Sequence, residues 1–201
     1  MALIPVVFGV QQFVEGLVWI GLGRHDDALV RWASVLYLYF AMAFYPLWVP
    51  FSFLCAEPRT GLRLLFGALT LLALAWTWLY LPVFRHPDQF LATEVVRHSV
   101  RYDFRGIPGY AVVPQAAWRA GYLILVCVPF VVSKAWGRHT LATRGAGLAS
   151  GAVLAATFAI SYFLFWDVFT SVWCFVAAAL SLLLCYLFSQ LPEAGPGKLG
   201  G

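Results

Sequence analysis

Six long apolar runs, each about the length of a bilayer crossing, constrain this chain more than any single motif. They cover about 3–22, 28–54, 61–83, 112–132, 145–165 and 168–188. A spanning helix needs roughly 20 mainly apolar residues. Only 11% of the 201 residues are charged and 62% are hydrophobic, whereas a soluble domain carries about 25% charged residues. Lipid is therefore the expected solvent. The expected fold is all-α: a polytopic transmembrane bundle of six helices, with one short interfacial helix in the long third connection. Residues 1–190 form a single domain, and the Gly- and Pro-rich stretch 191–201 reads as a loose tail.

Local signals divide the runs. Pro5 is tolerated in a first helical turn. Asp26 or Asp27 caps the second helix, and Pro46 and Pro50 should kink it. Trp76, Trp78 and Tyr80 form an interfacial belt at the end of the third. In the connection 84–110, Phe90, Leu91, Val95, Val96 and Val100 recur at helical spacing, with Glu94, Arg97, His98 and Arg101 opposite. That pattern predicts an amphipathic helix lying in the interface. Only Trp166-Asp167 separates the last two runs, so a tight hairpin is expected there, with Asp167 as N-cap of the final helix.

An even number of spans places both termini on one side. Arg59, Arg63, Lys134, Arg138 and Arg144 flank the short connections of that side, which favours cytoplasmic N- and C-termini. The net charge of +4 is spread among loops and sets topology; no nucleic-acid surface is expected. Cys55, Cys127, Cys174 and Cys185 lie in apolar runs without Cys-x-x-Cys spacing and read as buried thiols. The start, Met1 to Pro5, has no basic region and does not read as a signal peptide.

The chemistry is expected in Gln11-Gln12-Phe13-Val14-Glu15-Gly16-Leu17-Val18-Trp19. Glu15 is an acid inside an apolar run, and such groups are rare and purposeful. Arg119 falls at matching depth in the fourth run, near 10 Å by the ~1.5 Å rise per residue. A Glu15–Arg119 pair is therefore expected, in a polar pocket with Gln11, Gln12 and Trp19 as further ligand-binding residues. A pair that only locks two helices is the bland alternative. His25, His86 and His98 share one side with several carboxylates, and zinc is the cofactor they would take. No His-Glu-x-x-His spacing supports that site, so solvated loop histidines are the default and no cofactor is otherwise implied. His139 stands on the other side. Gly147 to Gly151 offers a small-residue step for close helix contact. There is no Gly-rich phosphate loop and no Gly-x-Ser-x-Gly.

The motif 11–19, together with Ser171-Val172-Trp173-Cys174-Phe175, resembles a family of uncharacterised bacterial polytopic membrane proteins, a domain of unknown function. The resemblance implies a multi-pass protein of the bacterial inner (plasma) membrane and brings no activity with it. Members of that family begin with an extra helix opening on Cys-Phe-Ser, which this chain lacks, as a shortened form or an incomplete start.

Three functions fit. The first is a membrane protein that binds or moves a small or lipid-like ligand at the Glu15 pocket. The second is an intramembrane metal-dependent hydrolase acting on lipid. The third is a structural subunit, whose partners would be a membrane complex or a second copy.

Overall fold

The computed structural model describes residues 4–108, 115–133 and 141–189. The loop holding Lys134, Arg138 and His139 and the tail 191–201 lie outside the described residues, as do the side chains of Gly147 to Gly151. The chain is mostly helical. Helix α1 is Ile4–Arg24; a second long helix follows as α2 (Asp27–Leu38), a π-helical segment (Tyr39–Phe44) and α3 (Tyr45–Ala56). After these come α4 (Thr60–Arg85), the short α5 (Pro87–Phe90), strands β1 (Leu91–Val96) and β2 (Ser99–Phe104), α6 (Gln115–Val132), α7 (Leu141–Leu164), a 3-10 turn (Trp166–Val168) and α8 (Phe169–Ser189).

Three helices, Pro5–Arg24, Asp27–Ala56 and Thr60–Arg85, are long and apolar enough to cross a membrane by length and composition. Ala152–Leu164 and Trp166–Leu182 meet that test only together and are bent by 111° at their break. Ala117–Val132 is a shorter apolar helix. Against the six spans expected from the sequence, the described residues hold three by this test, or four if the bent pair counts as one. The abrupt turn after Phe165 is where the sequence places it. Asp167, however, sits inside the 3-10 turn, and the turn's own N-cap is Phe165, without a side-chain cap bond. The intervening turn moved the helix start past the expected cap.

The turn between α1 and α2 is built by side chain and backbone together. His25 adopts φ +55°, and Asp26 N–H donates to the Gly21 carbonyl at 2.9 Å, closing α1 in a left-handed C-terminal cap. Asp26 then caps α2 by accepting from Leu29 N–H at 3.0 Å. A side chain at Gly21 would meet the Val30 backbone nitrogen at 3.0 Å, so glycine lets α1 and α2 touch.

The kink in the second long helix begins before either proline. Tyr45 N–H reaches the Phe40 carbonyl, the wide π pattern. Pro46 then supplies no N–H to the turn below it. The Met42 carbonyl is taken instead by the indole N–H of Trp76, at 3.0 Å, which ties α4 to the irregular turn.

The third connection corrects the sequence reading. Residues 91–104 form an antiparallel β-hairpin, with Leu91 opposite Phe104 and Val96 opposite Ser99, and no interfacial helix. Arg97 and His98 make its two-residue turn at φ +50° and +62°, the twist that suits a tight hairpin. Val100 and Tyr102 alternate inward along β2, the period-two pattern of a half-buried strand. The hairpin is tied down at several points. Tyr102 stacks on Tyr37 with centroids 4.9 Å apart, and Thr93 Oγ1 bonds Ser34 Oγ at 3.0 Å. Phe104 meets the edge of Tyr80, and Arg31 pairs with Asp88 at 2.7 Å.

Helix α1 packs on α2 and α8, α3 on α4 and α6, α6 on α7, and α7 on α8. The aromatic core runs through these seams, from Phe53 and Phe66 at one end to Trp76, Trp118, Tyr122, Phe158 and Trp173 beneath the hairpin.

Candidate functional site

Underneath the hairpin the helices leave a partly open cleft of about 300 Å³, at the small end of ligand-binding pockets. Its roof is β2, from Val100 to Phe104; its far lip is the turn Trp166 to Thr170. Its walls are pairs of rings four residues apart, one helical turn: Trp76 and Tyr80 on α4, Trp118 and Tyr122 on α6, Phe169 and Trp173 on α8. Trp76 and Trp118 meet edge to face at 4.7 Å. Gly121 lets α6 approach that wall, since a Cβ there would come 3.1 Å from the Trp76 ring.

Arg119 lines this cleft. Its guanidinium donates to the Tyr162 hydroxyl at 2.8 Å and lies over the Trp166 ring at 3.5 Å and the Tyr162 ring at 4.8 Å. These partners hold the cation by ring quadrupoles and a neutral acceptor. Among the described residues, the ion pairs are Arg31–Asp88, Arg101–Glu94 and Arg105–Asp103; none includes Arg119. Asp167 also lines the cleft but is exposed to solvent and, among the described residues, forms no ion pair.

The expected Glu15–Arg119 pair does not form. Glu15 instead accepts a short hydrogen bond from the Ser171 hydroxyl on α8. Equal depth on two helices fixes height but not the direction each residue faces, and α1 turns Glu15 toward α8 while Arg119 turns toward Tyr162 and Trp166. Gln11, at 0% exposed, stands beside Glu15 and donates from Nε2 to Cys174 Sγ at 3.1 Å. Gln11 and Glu15 are therefore together, as the motif predicts, but on the seam behind the cleft wall. Cys174, which bonds Gln11 on the seam, also lines the cleft. Gln12 is half-buried with Nε2 unpartnered. Trp19, 39% exposed, points outward and does not line the cleft.

Tyr102 and Tyr37 lie in electrostatic reach of Glu15 and Cys174. Burial first, and then the neighbouring Glu15, push the Tyr102 phenol well above the usual tyrosine range. The Tyr37 hydroxyl donates to the Thr170 carbonyl at 3.1 Å, pinning the start of α8.

The histidines do not converge on a metal centre. His25 closes α1, His86 ends α4 and His98 turns the hairpin, and all three are exposed. Among the described residues no three His, Cys, Asp or Glu side chains are placed to hold a metal ion. Sequence reasoning missed the cleft itself, although its walls were announced by aromatic residues recurring four apart on three helices.

The fold and site together define a helical protein with several membrane-length apolar helices and a hairpin-roofed aromatic cleft. The chain belongs to DUF6629, a family of unknown function, whose model matches residues 1–197. No curated protein and no solved structure matches it.

Proposed function

We propose that this is a multi-pass membrane protein that binds a small amphipathic ligand with an anionic head in the hairpin-roofed cleft. The observation that carries this reading is Arg119, a half-buried cation with no carboxylate partner among the described residues, set in a wall of aromatic rings. A carboxylate or phosphate at the guanidinium would gain charge-assisted hydrogen bonds. The rings of Trp76, Trp118, Tyr122 and Trp173 would take the apolar body. The apolar lengths of Pro5–Arg24, Asp27–Ala56 and Thr60–Arg85 support a bilayer location. The resemblance of its motifs supports a bacterial inner membrane. The hairpin follows α4, so in a bilayer crossed by those three helices the cleft opens on the side opposite the start of α1.

Binding of dodecanoate and of the uncharged dodecanol to the purified chain tests this, read from quenching or displacement of cleft tryptophan fluorescence. The expected result is a preference for dodecanoate of at least about tenfold, equal to ~1.4 kcal/mol, lost in Arg119→Gln while dodecanol binding is kept. Equal binding of the two by the unaltered chain, or a preference that survives Arg119→Gln, would overturn it.

A further inference from the structure

The seam behind the cleft carries its own chemistry, and it does not involve Arg119. On α1, Gln11 and Glu15 stand one turn apart; on α8, Cys174 and Ser171 answer them in register. Glu15 is only 6% exposed, and no ion pair among the described residues includes it. A buried carboxylate without a compensating positive charge is strongly unfavourable. Among the described residues, two oxygens near it also lack a hydrogen-bond partner: Gln11 Oε1, one turn away on α1, and the hydroxyl of Tyr102, whose ring lies in electrostatic reach of Glu15; both belong to buried residues. Each orphaned group costs roughly 1–3 kcal/mol, and a folded protein tolerates few of them.

What occupant would relieve all of these at once is a question of charge and donor type. A water molecule satisfies orphaned oxygens but leaves the charge. A proton on Glu15 removes the charge and adds a single donor, which can serve only one of the two orphaned oxygens. A cation with oxygen ligands does both. The donors are one carboxylate, one carboxamide oxygen and hydroxyls, a hard set that disfavours thiophilic or imidazole-seeking metals. A single negative charge suits a monovalent ion. Calcium sites gather more carboxylates, and magnesium keeps a rigid octahedron of waters.

We propose that Glu15, Gln11, Ser171 and Tyr102 form a binding site for a monovalent alkali cation at the α1–α8 seam. Because Tyr102 belongs to the hairpin, the ion joins three elements: α1, α8 and the cleft roof. Its occupancy therefore helps to hold the roof down.

The test uses the purified full chain in detergent. Apparent melting temperature is followed by tryptophan fluorescence in sodium, potassium, lithium or choline chloride at constant ionic strength and pH. The expected result is a saturable rise with at least one alkali ion over choline. Glu15→Gln abolishes that rise, and Tyr102→Phe, which keeps the ring stack, raises the half-saturating concentration about tenfold, the loss of ~1.4 kcal/mol of binding. Arg119→Gln leaves the cation response unchanged, which separates this site from the anion cleft. Identical melting in all salts overturns the proposal, as does a rise that persists unaltered in Glu15→Gln. If Glu15→Gln does not fold, Gln11→Leu and Tyr102→Phe decide the matter, and an unchanged half-saturating concentration in both overturns it.

Discussion

The two ends of the bundle each bury a carboxylic acid, and they treat it differently. At the end where α3 passes to α4, Glu57 is 3% exposed. It accepts from Ser133 Oγ at 2.9 Å and from Arg59 N–H at 3.4 Å, and its own N–H closes α3 on the Phe53 carbonyl. This acid joins the ends of α3 and α6 and caps a turn. At the hairpin end, Glu15 receives one hydroxyl, and orphaned oxygens stand beside it. The backbone there is also less relaxed. His25, Arg97 and His98 all occupy the left-handed region, which costs a non-glycine residue roughly 1–2 kcal/mol. Strain and unsatisfied polar groups collect where a protein has something to bind. One end is built to close the fold; the other retains unmet bonding capacity.

The comparison breaks most visibly at Glu57. Glu57→Ala is expected to cost about 3 kcal/mol, since hydrogen bonds to a charged group contribute roughly 1.5–3 kcal/mol each. The loss should be the same in sodium and in choline chloride, measured by denaturant or thermal unfolding in detergent. A salt-dependent loss would mean that this end is not a plain lock. The hairpin turn gives a smaller effect of opposite sign. His98→Gly removes the left-handed penalty and should stabilise by about 1 kcal/mol, seen as slower hydrogen exchange along 91–104. If His98 instead serves as a ligand, the same change will cost binding and gain nothing in stability. The smallest effect is expected from Glu15→Gln in choline chloride. The carboxamide keeps a partner for Ser171, so the shift should stay below about 1 kcal/mol.

Much of the helical framework was legible because run length and apolarity are one-dimensional properties. The Asp26 cap was legible for a similar reason: a short acid before an apolar run does its work locally. The hairpin was not, because Phe90, Leu91, Val95, Val96 and Val100 fit a helical stripe. Arg97-His98 also lacks the Asn or Gly that normally marks so tight a turn. The β-branched density of Thr93, Val95, Val96 and Val100 was the contrary signal. Gln11 and Glu15 stand together because they share a helix face, but on the seam and not in the cleft. Arg119 was assigned the wrong partner because facing is set by packing, and no residue count along one helix reports which way another is rotated. The π turn at Tyr39–Phe44 left no mark in the sequence beyond the nearby Pro46.

That wide turn has a consequence for how the chain can change. It winds more backbone into a loop than a regular coil does, so it offsets everything downstream by about one position, or about 100° around the axis. Shortening the segment by a single residue would let the coil run regularly. It would also keep Val49 and Phe53 on the core that they share with Tyr37 and Leu38, because the lost residue and the lost offset cancel. A one-residue deletion is therefore absorbed in this short stretch, whereas the same deletion in a regular part of the coil rotates everything beyond it by about 100°.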